Sequence, residues 1–239
     1  MSQDVPPLRA VFFDVGETLV RPRRPHAALL AEICREQGVA LDGAALAAFG
    51  DHIVARVAAG ARAGRPFTFP AAESRRFWQE TYRDYLEQYL SVEAARRVAK
   101  AYQALLSTPD GYTRFEDALP TLEGLRARGL TLGIVSNWEA WLPELLAGTG
   151  LAPLFDHVVI SGLCRIEKPD PRIFALALAA GGFRPGEVAY VGDSPAHDVA
   201  PARAMGIAPV LLDRAGHHGP VPGGGRITAL AALPAALRT

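Results

Sequence analysis

Acidic side chains follow two apolar runs in this chain, and their spacing points to chemistry. Asp14 comes directly after "AVFF", while Asp193 comes after "VAYVG" and is followed five residues later by Asp198. Carboxylates that are brought together repel one another, and each takes up a proton unless a cation intervenes. Carboxylate and backbone carbonyl oxygens favour Mg²⁺, which keeps several waters and bridges to a phosphate oxygen. We therefore predict a magnesium site where these acids meet.

Donor groups that suit an anion occur at two other places. Ser136 and Asn137 follow the apolar run "LTLGIV", and Lys168 lies in "EKPDP", just before a predicted helix. Asn137 is the sole asparagine, and Lys168 is one of two lysines among 25 basic side chains. The lysine offers a compact point charge, Ser136 offers a hydroxyl, and backbone amides near Asn137, at a predicted helix start, add further donors. Together these groups predict a cavity for a dianion.

Five apolar runs have the unbroken texture of strands that are buried on both faces of a parallel sheet. They are residues 8–15, 130–136, 157–161, 187–193 and 208–213. Helical patterns separate the later runs, which indicates βαβ units. The predicted fold class is therefore α/β, a doubly wound Rossmann-like parallel sheet whose ligands bind beyond the carboxyl ends of the strands. The segment "GHHGPVPGGGR" near the C-terminus is predicted to be a surface loop.

Residues 21–112 interrupt the alternation of strands and helices. Four segments in this stretch place apolar residues three and four positions apart, which is typical of amphipathic helices. We interpret the stretch as an inserted all-helical cap domain, and residues 1–20 and 113–239 as the Rossmann-like catalytic core. An insertion directly after the first strand would overhang the strand ends. It would act there as a moving lid or, alternatively, would only stabilise the core.

The composition narrows the classes of partner. The formal net charge is zero, so the overall electrostatics would not gather nucleic-acid phosphates. The apolar runs are too short for a membrane span, the N-terminal residues lack the pattern of a secretory signal, and two cysteines are too few for a disulfide framework. We expect a cytoplasmic protein with a small-molecule partner, no nucleic acid and no membrane. The sequence does not set the oligomeric state.

Four motifs, in this order, carry a family resemblance: "DVGETL", "VSN", "EKPDPRIF" and "GDSPAHD". They span nearly the whole chain and resemble the haloacid dehalogenase superfamily of hydrolases. The helical insertion after the first motif is similar to the subgroup that has an α-helical cap between the first and second motifs. Each motif alone is a weak signal, but the four together are specific.

The resemblance implies roles for individual residues. Asp14 would be the nucleophile that attacks phosphorus and forms an aspartyl-phosphate, which water later hydrolyses. Ser136 would hold the phosphoryl group, and Lys168 would neutralise its charge and orient Asp14. Asn137 belongs with Ser136 and Lys168 among the substrate-binding residues.

The resemblance also implies a magnesium cofactor and its ligands. Asp193 would bind Mg²⁺ directly, together with Asp14 and the backbone carbonyl of Gly16, and Asp198 would complete or support the coordination shell. The expected function is a magnesium-dependent phosphatase that acts on a small phosphorylated metabolite.

Gly16 departs from the pattern of the family. Phosphatases of this family usually carry a second aspartate two residues after the nucleophile, where it protonates the leaving group. Positioned general acids contribute about 10²–10⁴-fold to the rate, so catalysis should be weakened here. Glu17 or His26 of the cap would replace the acid, or the leaving group, as in acyl and aryl phosphates, would need no proton.

Three further interpretations stay open. A non-catalytic protein that binds a phosphorylated ligand would also tolerate Gly16. The 2-haloacid dehalogenases of the superfamily lack the second aspartate too, but they need no metal and typically lose the glycine–aspartate pair that "VGDSPAHD" keeps. Trp138 either borders the substrate or packs against the cap or core, and packing is the commoner role for such a side chain.

Overall fold

The chain folds into two compact units joined by two crossings. The computed structural model describes residues 7–221 and 224–237. One unit comprises the described residues up to Arg21 and from Arg114 onward, and the other is Pro22–Thr113. The role of Pro22–Thr113 as a cap stays a prediction.

A parallel six-stranded sheet forms the centre of the larger unit and confirms the predicted α/β fold class. Its strand order is β5-β4-β1-β6-β7-β8. The strands are β1 (Ala10–Phe13), β4 (Thr131–Ser136), β5 (His157–Ile160), β6 (Val188–Gly192), β7 (Ala208–Leu212) and β8 (Gly225–Ile227). Strands β1 and β6 are buried along their whole length, as expected for strands with helices on both faces.

Helices cover this sheet, and the apolar side chains between them form the core. The helices are α5 (Ala118–Ala127), α6 (Leu142–Gly148), α7 (Ser161–Cys164), α8 (Arg172–Gly181), α9 (Ala200–Ala204) and α10 (Leu233–Ala236). A single turn of π-helix, Pro195–Val199, leads into α9. On one face, Phe12 and Phe174 belong to a buried cluster with Tyr190, whose ring meets that of Phe174 edge to face. This packing fixes the strands that carry the site.

Strand register brings the ends of β1, β4 and β6 to one edge. Phe13 pairs with Ile134 on β4 and with Val191 on β6. The Asp14 N–H continues the ladder and donates to the Val191 carbonyl at 2.9 Å. The residues that follow these strands therefore leave the sheet side by side.

The smaller unit is built from four helices. They are α1 (His26–Glu36), α2 (Gly43–Arg62), α3 (Ala71–Leu86) and α4 (Val92–Leu106). Asp42 and Ser91 cap α2 and α4 through side-chain oxygens that accept N–H groups of the first turn. The buried rings of Phe49 and Tyr102 pack edge to face at the centre of the unit.

Helix α2 has 20 residues and an 18-residue window of mean hydropathy 1.2, so by length and composition alone it could also cross a membrane. This is a weak signal, because much of the apolar content is alanine. Phe49 and Ile53 of this helix are buried within the helical unit, whereas Val54 is 69% exposed.

The structure differs from the sequence predictions at three places. Short strands β2 (Val20–Pro22) and β3 (Tyr112–Arg114) pair with each other where the chain passes between the units, so the insertion is not helical to its ends. The last two residues of the predicted C-terminal loop, Gly225 and Arg226, belong to the edge strand β8 (Gly225–Ile227), whereas residues 222–223 of that segment lie outside the described residues. No helix starts at Asn137, because α6 begins only at Leu142.

Candidate active site

Asp14 is the centre of the site at the carboxyl edge of the sheet. It follows β1 directly, and only 8% of its surface is exposed. The Ser136 hydroxyl donates to Asp14 Oδ1 at 3.0 Å, and the Lys168 ammonium donates to the same oxygen at 2.7 Å. The nucleophile, the hydroxyl and the cation expected from the sequence are thus brought together from three separate parts of the chain.

Lys168 is buried and uses its ammonium group fully. Its Nζ donates to Asp14 Oδ1, to Asp198 Oδ1 at 2.6 Å and to the Tyr190 hydroxyl at 2.9 Å. Burial on its own would lower the pKa of Lys168, but the charges of Asp14 and Asp198 outweigh it and raise the pKa above its usual value. The side chain is therefore a permanent cation between two carboxylates.

Three carboxylates meet at this edge with only one ammonium among them. Ligand atoms of Asp14, Asp193 and Asp198 all lie within 4.8 Å of one another. Burial raises the pKa of Asp14, and burial together with the charges of Asp14 and Asp198 raises the pKa of Asp193 well above its usual value. An all-oxygen donor set with this excess of negative charge fits a divalent cation such as Mg²⁺.

Asp198 has donors on both of its carboxylate oxygens. Oδ1 accepts from Lys168 and lies 3.0 Å from the Tyr190 hydroxyl, while Oδ2 accepts from the Ser194 N–H at 2.9 Å. A Cβ atom at Gly192 would overlap the Asp198 carboxyl group, so this close approach requires glycine. These contacts make Asp198 a positioning group for Lys168, and its direct contact with the metal stays a prediction.

Asn137 lies beside the site, and its side chain holds the backbone of Lys168. The amide nitrogen donates to the Lys168 carbonyl at 2.9 Å, and the amide oxygen accepts from the Lys168 N–H at 2.7 Å. This pair of bonds aligns the loop that presents the ammonium to Asp14. Both the nitrogen and the oxygen of the Asn137 amide thus have protein partners. The predicted contact of Asn137 with substrate stays a prediction.

Gly16 and Glu17 form the turn that follows Asp14. Glu17 has a left-handed backbone (φ 52°), and its N–H donates to the Val20 carbonyl at 2.8 Å. Glu17 is an exposed residue, yet desolvation of its carboxyl group by the surrounding protein raises the pKa, against the opposing charges of Arg21 and Arg214. A raised pKa suits a group that carries a proton, so Glu17 stays a candidate for the missing acid.

His26 is the other candidate for the missing acid. It belongs to the helical unit, where its Nδ1 shares a short hydrogen bond with the Tyr102 hydroxyl. Burial lowers the pKa of His26, which favours the neutral ring. The role of His26 as the missing acid stays a prediction.

Sequence reasoning does not identify Tyr190 as a site residue. Its hydroxyl lies 2.7 Å from the Val135 carbonyl and accepts from Lys168, so it links β4 and β6, the two strands that flank β1, to the cation. The signal that was available is a tyrosine in a run of otherwise apolar strand residues, because a buried phenol needs a hydrogen-bond partner.

Fold and site together define an α/β enzyme with a buried aspartate–lysine–serine centre at the carboxyl edge of its sheet. The model of the haloacid dehalogenase-like hydrolases matches residues 8–206, and the chain belongs to this family.

Relatives with known names agree with this assignment. The chain is 34% identical over 209 residues to the haloacid dehalogenase-like hydrolase domain-containing protein 3 of Bos taurus, which covers 86% of this chain and 82% of that protein. It is 40% identical over 146 residues to a phosphoserine phosphatase of Thermus thermophilus, over 60% of this chain and 57% of the relative. The fold is similar to that of the HAD hydrolase YfnB of Bacillus subtilis bound to magnesium, with a TM-score of 0.77, 17% identity and coverage of 95% and 97% of the two chains.

Proposed function

We propose that this hydrolase is a magnesium-dependent phosphatase that acts on a small phosphorylated metabolite through an aspartyl-phosphate on Asp14. The observation that carries the proposal is the convergence of a hydroxyl and an ammonium on one oxygen of a buried carboxylate. The resemblance to a named phosphatase supports the same reaction class.

The reaction would proceed in two displacements at phosphorus. A carboxylate oxygen of Asp14 attacks, the bond from phosphorus to the ester oxygen breaks, and the leaving group departs with the electron pair. Water then attacks the aspartyl-phosphate, the bond between phosphorus and Asp14 breaks, and inorganic phosphate and a proton are released. Lys168 balances the negative charge, and the Ser136 hydroxyl donates to the transferring group once it no longer donates to Asp14.

The residues that would hold Mg²⁺ are Asp14, Asp193 and the Gly16 carbonyl, with Asp198 as a direct or supporting ligand. The ion would supply charge neutralisation for a phosphoryl oxygen and for the approaching carboxylate. Without it, the crowded carboxylates favour protonation, as the raised pKa values of Asp14 and Asp193 indicate. A protonated Asp14 would be a poor nucleophile.

Gly16 limits the range of efficient substrates in this proposal. Because no carboxyl is present two residues after Asp14, an alkoxide must leave unprotonated or receive its proton from Glu17. The missing acid would cost about 10²–10⁴-fold with ordinary alkyl esters. Acyl and aryl phosphates avoid most of this cost, since their leaving groups are stable anions.

The test compares the full chain with Asp14→Asn on p-nitrophenyl phosphate and acetyl phosphate, with Mg²⁺ and with EDTA. We expect turnover that needs Mg²⁺ and falls by about 10³-fold or more in Asp14→Asn. Hydroxylamine trapping should give a hydroxamate at Asp14, located by mass spectrometry. Unchanged turnover in Asp14→Asn would refute the nucleophile.

Two outcomes would favour the other interpretations. Binding of inorganic phosphate without hydrolysis of any ester would indicate a phospho-ligand binding protein, which Gly16 also allows. Release of chloride from 2-chloropropionate in EDTA would indicate a dehalogenase.

A further inference from the structure

The indole of Trp138 lies against the position of the missing acid. A Cβ atom built on Gly16 would be 3.4 Å from Trp138 Cζ3. Gly16 comes two residues after Asp14, and Trp138 comes two residues after Ser136, so both lie just beyond the ends of the neighbouring parallel strands β1 and β4. The ring therefore borders the strand ends that carry the nucleophile and the hydroxyl.

The backbone of Trp138 is held tightly in this place. Its N–H donates to the Ser161 hydroxyl at 3.1 Å, and that hydroxyl donates back to the Trp138 carbonyl at 3.2 Å. The Gly162 N–H donates to the same carbonyl at 2.9 Å. A Cβ atom at Gly162 would come 2.8 Å from the Trp138 carbonyl oxygen, so the close approach of the two segments depends on glycine.

The side chain of Trp138 also has a fixed neighbour but is not fully covered. It meets Trp141 edge to face, with ring centroids 5.6 Å apart. Trp138 is only half-buried, unlike the aromatic rings of the core, and Gly16 beside it is half-buried too. A rigidly anchored indole with open surface next to the reacting groups is suited to contact a ligand.

The surface beside residue 16 is therefore formed by the indole of Trp138, at the position where phosphatases of the family carry their second aspartate. A leaving group at this wall would find no side-chain proton from residue 16, but it would find an apolar surface for a flat ring. Phenolic leaving groups satisfy both conditions, since they depart as stabilised anions and pack well on an indole.

We propose that Trp138 contacts the leaving group and determines specificity for phosphate monoesters of aromatic alcohols. The proposal rests on the phosphatase function proposed above and adds the substrate class. In the first displacement, the bond from phosphorus to the phenolic oxygen breaks as Asp14 attacks, and the phenolate departs along the face or edge of the indole.

The first experiment measures binding and does not depend on turnover. Phenylphosphonate and methylphosphonate, whose phosphorus–carbon bonds resist hydrolysis, are titrated calorimetrically into the full chain with Mg²⁺. We expect phenylphosphonate to bind about tenfold more tightly, and Trp138→Ala to abolish that preference. Trp138→Phe should keep most of it, and Trp141→Phe, the control at the neighbouring ring, should keep all of it.

The second experiment separates ring contact from leaving-group chemistry. p-Nitrophenyl phosphate and acetyl phosphate both release stable anions, but only the first has a ring. Trp138→Ala should lower kcat/KM for p-nitrophenyl phosphate by about tenfold and leave acetyl phosphate within about twofold of the unsubstituted protein. Circular dichroism and Tm would verify that the variant folds.

The possible failures are distinguishable. An equal loss on both substrates, or no preference for phenylphosphonate in the unsubstituted protein, would overturn the role of Trp138. A retained phenylphosphonate preference in a protein that hydrolyses no ester would overturn the phosphatase function and leave the aromatic ligand contact of Trp138 standing.

Discussion

The two units bury polar groups in opposite ways. At the sheet edge, the ionisable side chains of Asp14, Lys168 and Asp198 are buried, and the Lys168 ammonium bonds directly to both carboxyl groups. In the helical unit, the buried polar groups are neutral: the Tyr102 hydroxyl pairs with His26, and the Tyr85 hydroxyl donates to the Ala45 carbonyl. Tyr85 and Tyr102 lie in an aromatic cluster around Phe49.

Buried ionisable groups mark the candidate active site, whereas buried neutral hydroxyls are typical of a packed core. Burying ions costs several kcal/mol each unless partners compensate, so a cluster of them is weak support for stability. Neutral hydroxyls that find one local partner cost little and let large rings pack. The cluster of Asp14, Lys168 and Asp198 therefore lowers the folding stability of the chain, and we interpret it as a requirement of catalysis.

The largest effect is expected from Lys168→Met in the absence of Mg²⁺. The substitution leaves Asp14 and Asp198 buried without their shared cation, and breaking such a pair costs about 3–5 kcal/mol. Urea unfolding in EDTA measures the change. Lys100→Met is the matched control, because the only other lysine is exposed on α4 and its loss should cost less than about 0.5 kcal/mol. Equal effects of the two substitutions would contradict the comparison.

A second expected effect is a pH dependence of the metal-free protein. The pKa of Asp193 is raised in the folded state by burial and by neighbouring carboxylates, so the folded chain holds this proton more strongly than the unfolded chain. Stability from this group is present below the unfolded pKa of about 3.9 and is lost as pH rises through the folded pKa, by about 1.4 kcal/mol per pH unit.

The free energy of unfolding is measured by urea titration at several pH values from about 4 to about 8, once in EDTA and once in Mg²⁺. The stabilisation by Mg²⁺ should grow with pH, because the ion replaces the protons. Asp193→Asn should flatten both dependences. Asp170→Asn is the control, since the hydrogen bond from Arg172 lowers the pKa of Asp170 and gives it the opposite sign. A Mg²⁺ effect that is independent of pH would argue against carboxylate crowding.

A matched pair of tyrosine substitutions sharpens the contrast between the units. Tyr190→Phe removes the hydroxyl between Lys168 and the Val135 carbonyl and should cost about 1–2 kcal/mol of stability. It should also lower kcat about tenfold with little change in KM, because Lys168 loses its alignment. Tyr102→Phe should cost about 1 kcal/mol and leave kcat unchanged. If both variants lost kcat to the same extent, the functional distinction between the two clusters would fail.

Residue types in sequence predict much of this arrangement, because local patterns report local structure. The apolar runs before Asp14 and Asp193 indicate buried parallel strands, and parallel strands bring their carboxyl ends together. The partners of Asn137 and Tyr190 could not be predicted, because their hydrogen bonds join residues 31 and 22 positions away. Strand β8 was not predicted, because the glycine-rich residues before it are typical of a loop. It forms through its pairing with β7, which the local sequence does not show.

The smallest effect expected is a gain of activity in Gly16→Asp, which tests why the acid is missing. The Cβ atom would meet Trp138 at an ordinary contact distance of 3.4 Å, so the variant should fold, but its carboxyl must find room beside the indole. We expect roughly a threefold gain in kcat/KM on an alkyl ester such as glucose 6-phosphate, well short of the ~10²–10⁴-fold of a positioned acid.

Gly16→Ala supplies the matched control, because it makes the same contact without an acid. The gain should increase when Trp138→Ala is added to Gly16→Asp. An equal gain with and without the indole would show that Trp138 does not limit the space for a side chain at residue 16. The sheet edge would then differ from the packed core of the helical unit only in its ionisable groups.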